Sequence, residues 1–113
     1  MDRPAGVIPP SEYVLKKYGL TVDGWWAILE CQGNVCPICK KLPTTGRMVV
    51  DHDHVRGWKK MPDEKRAQHV RGVCCWWCNH THLGRGITIE KAQAVVTYLQ
   101  RYQQGAPAGA NAA

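Results

Sequence analysis

The sequence predicts a small α+β domain, with a metal-stapled central segment flanked by helices. Three observations predict it. Helix-start and helix-stop signals lie toward both ends of the chain. A short β-branched run, Arg47-Met48-Val49-Val50-Asp51, lies in the middle. Two C-x2-C pairs, Cys36/Cys39 and Cys75/Cys78, bracket that run. The chain has 113 residues, enough for one small domain and short tails. That length excludes barrels, two-domain dehydrogenases and other large cofactor-binding folds.

The elements follow in order. Residues 1–10 hold three prolines and read as a flexible arm. Ser11 caps a helix from Glu12 to Tyr18, which Gly19 ends. Thr21 caps a second helix to about Cys31, with Asp23 favourable in its first turn. Val22, Trp25, Trp26 and Leu29 recur there at helical spacing, which assigns both tryptophans to the core. Gln32-Gly33-Asn34 is a turn signal. The run at 47–51 is a strand, and residues 56–69 read as an exposed, basic loop. Thr88 caps a last helix whose apolar stripe is Ile89, Ala92, Val96 and Leu99, reaching about Tyr102. Residues 104–113, mostly Gly, Ala, Pro and Gln, read as a disordered tail. One domain over 11–103 is expected, with a core at about 35–85 and flanking helices at about 11–31 and 88–102.

A C-x2-C turn places two sulfurs on one side of a tight knuckle, and two knuckles complete a tetrahedral thiolate site. Cys36, Cys39, Cys75 and Cys78 are therefore the expected ligands of one structural Zn2+. Four thiolates leave the ion no open position, so it would hold the fold rather than do chemistry. Without a secretion signal, disulfides are the weaker reading. Cys31 and Cys74 are left over and read as small buried apolar residues. Cys74 is also an alternative to Cys75 as ligand, although Cys75-x2-Cys78 has the better knuckle spacing.

The formal charge is +6, from 15 Lys plus Arg and 9 Asp plus Glu. All of the excess lies in residues 36–85, which carry ten basic and four acidic groups; the rest of the chain is balanced. That segment also contains every His and five of the six Cys. A basic stretch around such a site points to a polyanion, with DNA as the first candidate. Lys59, Lys60, Lys65, Arg66 and Arg71 are the expected phosphate contacts. No apolar run is long enough to span a bilayer, and no membrane partner is expected.

At the end of the strand, Asp51-His52-Asp53-His54 gathers two hard oxygen ligands and two imidazoles. Carboxylates suit Mg2+, and a neutral imidazole suits a general base near pH 7. Strand alternation would set Asp51 and Asp53 on one face and His52 and His54 on the other. Asn79, directly after the last zinc cysteine, would sit in the first turn of a following helix, where its amide oxygen could join Asp51 at a metal. His80 and His82 read as surface or phosphate-contacting groups.

Taken in order, Tyr18-Gly19-Leu20-Thr21, Gln32-Gly33, Cys36-x2-Cys39, Val50-Asp51-His52-Asp53-His54, Val70-Arg71-Gly72 and Cys75-x2-Cys78-Asn79 resemble the phage recombination endonuclease VII family, within the His-Me finger (HNH-like) nucleases. The resemblance covers roughly residues 18–84. It implies a ββα-metal core and a DNA endonuclease. It further implies that Asp51 and Asn79 bind a catalytic divalent cation (Mg2+, with Mn2+ as the alternative), that His52 is the general base, and that His54 is a further active-site histidine. Products with 5′-phosphate and 3′-hydroxyl ends are expected, on branched or junction DNA. There are departures: Cys74 replaces an aliphatic residue, the basic loop after His54 is long, and His82 stands about where the junction-resolving enzyme has an acidic residue. For a phage-encoded protein the expected location is the host cytoplasm.

Two other readings compete. One is an HNH-type enzyme that nicks duplex DNA and assists phage DNA packaging, with packaging or replication proteins as partners. The other is a non-catalytic zinc-knuckle DNA-binding module, which leaves Asp51 to His54 without a role. A junction resolvase cuts two strands symmetrically, which calls for a homodimer. The helices at 11–31 and 88–102 are the candidate contacts.

Overall fold

The computed structural model describes residues 3–42, 47–84 and 86–105. It is a small α+β structure with two short helices, α1 (Glu12–Lys17) and α2 (Val22–Cys31), followed by strand β1 (Met48–His52). A 3-10 turn (Trp58–Lys60) and helix α3 (Asp63–Gln68) then lead into strand β2 (Val70–Cys75), helix α4 (Trp76–Thr81) and helix α5 (Ile89–Gln103). The chain packs as two compact units, Met1–Leu83 and Gly84–Ala113.

The first unit is built by local signals. The Ser11 hydroxyl accepts from the Val14 N–H at 3.3 Å and the Thr21 hydroxyl from the Gly24 N–H at 3.0 Å. Each such cap is worth about 1 kcal/mol. Between the helices Gly19 turns the chain with φ +72°. The capped helices bring Leu15, Trp25 and Leu29, all at 0% exposure, onto one face of the sheet's surroundings. Full burial of each aliphatic side chain contributes about 1.5–3 kcal/mol. Trp25 is thus core, and Trp26 packs partly buried against it, ring centroids 4.9 Å apart.

β1 and β2 pair antiparallel, Met48 opposite Cys75 and Val50 opposite Val73. The pairing slips between Asp51, opposite Gly72, and His52, opposite Val70, so Arg71 is the extra residue of a bulge. Gln32 closes the outer edge of β2: its amide accepts from the Val73 N–H at 2.8 Å and donates to the Val73 carbonyl at 2.6 Å. Gly72 leaves room for this, since a Cβ there would lie 2.7 Å from Gln32 Oε1. β1, β2 and α4 form the ββα unit implied by the resemblance.

Several expectations need correction. Residues 56–69 are not all loop: Pro62 starts α3, whose acidic residues Asp63 and Glu64 open it and whose basic Lys65 and Arg66 close it, matching the helix dipole. Its lack of an apolar stripe concealed it. Cys31 is exposed rather than buried. The proposed arm meets the core, for Ile8 bridges Arg47 and Val7 packs on the buried cluster. Most of the expected tail lies outside the described residues. In the second unit the Thr88 hydroxyl caps α5, accepting from the Lys91 N–H at 3.0 Å, and no residue of that helix is buried. No described helix is long and apolar enough to cross a membrane.

Gly19 gives a test of this packing. A Cβ there would lie 2.1 Å from the backbone carbonyl oxygen of Asp63, whereas at Gly33, φ +77°, it would meet nothing. Gly33→Ala should cost only the left-handed strain of about 1–2 kcal/mol. Gly19→Ala adds a backbone clash between α1 and α3 and should cost about 3 kcal/mol or more. Urea midpoints at unchanged slope measure the difference.

Candidate metal centres and active site

The two knuckles meet. The sulfurs of Cys36, Cys39, Cys75 and Cys78 all lie within 4.8 Å of one another, a set that could hold a structural zinc. The first knuckle closes on itself: the Lys40 N–H donates to the Cys36 carbonyl at 2.9 Å and the Cys36 N–H to the Lys41 carbonyl at 3.0 Å. Lys40 takes φ +64° to make that turn. The second knuckle is the start of α4, where Cys75 is the cap and its sulfur accepts from the Cys78 N–H at 3.3 Å. Burial would raise the Cys36 thiol, but hydrogen bonds from the backbone at Cys39, Cys75 and Ile38 outweigh it and bring it down to about 7. Burial raises the Cys75 and Cys78 thiols, the charge-disfavouring effect that a bound cation would reverse.

Cys74 and Cys75 are neighbours on a strand, so they face opposite ways. Cys75 joins the knuckles. Cys74 is buried on the other side, where Asn79 Nδ2 donates to its sulfur at 3.7 Å, and burial pushes its thiol up to about 12. The ambiguity between the two is thereby resolved in favour of Cys75.

The knuckle that ends β2 also aims α4 at the end of β1. Asn79, the fourth residue of α4, places its amide nitrogen 3.2 Å from Asp51 Oδ1. Asp51 is the only buried charged group among the described residues, at 5% exposure. Arg71 grips it with two bonds, Nε to Oδ2 at 2.7 Å and NH2 to Oδ1 at 2.8 Å. This fork is aimed by the bulge at Arg71. The guanidinium expected at DNA phosphates is thus engaged with Asp51.

His52 and His54 lie on one side, their ring centroids 4.4 Å apart. Trp58 stacks on His52 at 4.2 Å and 24°, and Tyr18 meets its edge at 5.4 Å. Burial lowers the His52 pKa from its ordinary 6.5, and repulsion from His54 lowers it further. Asp51, His52, His54 and Asn79 line one pocket of about 400 Å³, whose rim includes the exposed Trp76, stacked on His80 at 4.2 Å. A second groove of about 700 Å³ runs from His52 and His54 along Arg56, Trp58, Lys59 and Lys60. Lys65 is exposed on α3. Arg66 is turned inward, bonded to Asp63 and, at 3.3 Å, to the Lys16 carbonyl. Sequence reasoning missed Trp58 and Trp76. The only local signal was an aromatic residue inside a basic loop, and a second one between two knuckle cysteines whose side chains must point away from the metal.

The model of the recombination endonuclease VII family matches residues 11–101. The chain belongs to that family. The family member is also 37% identical over 90 residues to a gene 59 protein of Mycobacterium phage D29, covering 78% of this chain and 48% of that relative. It is 39% identical over 72 residues to a gene 59 protein of Mycobacterium phage L5, covering 63% of this chain and 37% of the relative. The chain therefore spans about half the length, or less, of these curated relatives. No solved structure matches it.

The sulfur geometry makes a sharp expectation for metal content. Cys31→Ser and Cys74→Ala should retain one equivalent of zinc per chain, whereas Cys75→Ser should lose it and unfold in the absence of added metal. Elemental analysis of the purified variants, with circular dichroism before and after chelation, checks this.

Proposed function

We propose that this chain is a metal-dependent endonuclease that hydrolyses phosphodiester bonds in DNA, with branched or junction DNA as its preferred substrate. The observation that carries the reading is the convergence of Asp51, His52 and Asn79 on one pocket, inside the family match. Asp51 and Asn79 fit a hard cation: Mg2+ is commonly held by one or two protein oxygens, with water and substrate phosphate completing the set. Turning the Asn79 amide over would present its oxygen instead of its nitrogen. A cation held there would neutralise charge developing on the phosphate and on the leaving 3′ oxygen.

The chain's own groups do the rest. His52 accepts a proton from the attacking water, held in place by the Trp58 stack and the edge of Tyr18. His54, beside it, disfavours the protonated imidazole and keeps the base neutral. Hydrolysis at the 3′ side of phosphorus leaves a 5′-phosphate and a 3′-hydroxyl. Lys59 and Lys60 along the groove, with Lys65 nearby in sequence, contact flanking phosphates and contribute affinity without sequence preference. The four-cysteine zinc supports α4 and takes no part in the chemistry. A homodimer would let two such sites cut opposite strands of a junction. Packaging or replication proteins would be further partners of a duplex-nicking enzyme.

Cleavage of junction, branched and linear DNA side by side, with Mg2+ and with EDTA, tests the reading. Activity only on linear duplex, as nicks, would move the assignment to the nicking enzyme. Binding without cleavage of any substrate would leave a DNA-binding module. His52→Ala should lower cleavage about 10²–10⁴-fold with zinc content unchanged. Asp51→Ala and Asn79→Ala should also lose cleavage, each with a weaker response to added Mg2+.

The pH dependence follows from the His52 environment. The imidazole works only when neutral, and its pKa lies below 6.5. The acid limb of kcat/KM should therefore fall below pH 6.5, with activity level from there through neutrality. In Trp58→Ala, which opens His52 to water, the limb should move up toward 6.5.

A further inference from the structure

We infer that Arg71 competes with a cation for Asp51: it neutralises the carboxylate and opposes metal binding until a DNA phosphate draws it away. This rests on the proposed cation site at Asp51 and Asn79, and it adds a regulator to that site.

The geometry is specific. Asp51 is 5% exposed, and an unpaired carboxylate at such a depth is costly. The hydrogen bonds to its carboxylate, among the described residues, come from two elements. Arg71 on β2 supplies a bidentate fork at 2.7 and 2.8 Å, and Asn79 on α4 supplies one amide N–H at 3.2 Å. His52, next in sequence, interacts with it through charge alone among the described contacts. The fork is no accident of a flexible surface residue. Arg71 is the extra residue of the bulge, so the backbone departs from regular pairing at the point where the guanidinium reaches across to the opposite strand.

A carboxylate offers about four lone-pair positions. Arg71 takes one on each oxygen and Asn79 takes another on Oδ1. A cation at Oδ1 would displace the Asn79 N–H and would lie within a few ångströms of a fixed positive charge. Asp51 thus cannot receive both cations with full strength. The Arg71 side chain is 36% exposed, so its guanidinium has a way out of the pair. Asp51 itself stays buried. The group most suited to receive the released guanidinium is another oxyanion with bidentate geometry, and a DNA phosphate supplies one. Arg71 would then pass from carboxylate to phosphate as the cation arrives, and cation and DNA would each favour the binding of the other.

The test uses the full zinc-loaded chain and Mn2+ as probe, its binding followed by electron paramagnetic resonance without DNA. Arg71→Gln, which removes the charge, should bind Mn2+ roughly tenfold more tightly than the wild type. Arg71→Lys, which keeps the charge and loses the fork, should stay close to the wild type. Weaker binding in both variants would make Arg71 an orienting support for Asp51 and overturn the proposal. Equal binding in all three would overturn it as well. Asp51→Asn separates the two levels: if wild-type Mn2+ binding does not depend on Asp51, the cation site itself fails, and the competition with it. A second readout needs no variant at Arg71. In a His52→Ala background, which cannot cleave, a 15N-labelled Arg71 Nε–H signal should shift when DNA and Mg2+ are added together. A signal that keeps its metal-free position under those conditions would also overturn the proposal.

Discussion

The four sulfurs of Cys36, Cys39, Cys75 and Cys78 are the constraint on which the rest depends. They join the chain just after α2 to the junction of β2 and α4, across 35 intervening residues between Cys39 and Cys75. A domain this small has little else to hold that junction. Among the described residues, four of the ten buried apolar ones are cysteines, and three of those belong to the cluster. The aliphatic and aromatic core is gathered on α1, α2 and the strands, leaving α4 with Cys78 as its single buried side chain. Six residues of helix are too few to stand alone. The cluster therefore determines where α4 points, and with it where Asn79 meets Asp51.

From that junction the two faces of β2 diverge. Cys75 turns toward the sulfurs and Cys74 toward Asn79, so one dipeptide separates the four-sulfur cluster from the pocket at Asp51. The bulge one residue past Gly72 then does for Arg71 what the knuckle does for Asn79. Both groups reach the same carboxylate from different elements. Asp51 is tolerated at depth because the Arg71 guanidinium pairs with it. A buried pair of this kind contributes little net stability, and its effect is to hold the carboxylate in one orientation.

Much of this was legible in the sequence because its causes are local. Ser11, Thr21 and Thr88 cap helices by bonding an N–H three residues on, and such signals can be read from a handful of letters. The cysteine spacing carried the sulfur cluster for the same reason. The family order carried Asp51, His52 and Asn79, although the spacing alone left Cys74 and Cys75 open until strand alternation separated them. What escaped reading was long-range or lacked a pattern. α3 has no apolar stripe, so its charged residues looked like loop. Trp58 and Tyr18 come together on His52 from positions 40 residues apart in sequence, a contact that no window of sequence contains. Arg71 was read as one more basic residue because a bulge has no signature in Val-Arg-Gly.

The Arg71 contact bears on how the net charge of +6 should be understood. A simple count treats every lysine and arginine in residues 36–85 as a contact for a polyanion. The structure divides them. Arg66 is turned inward to Asp63 and the Lys16 carbonyl, and Arg71 is bound to Asp51, so neither is spent on long-range attraction. Lys59, Lys60 and Arg56 line the groove that leads from the histidines. Attraction over distance falls to these exposed groups, where salt screens it within a Debye length of about 8 Å at physiological ionic strength. The internal arginines act at bonding range, where screening is weak. Basic charge in this domain is therefore of two kinds, exposed along the groove and internal against the carboxylate of Asp51.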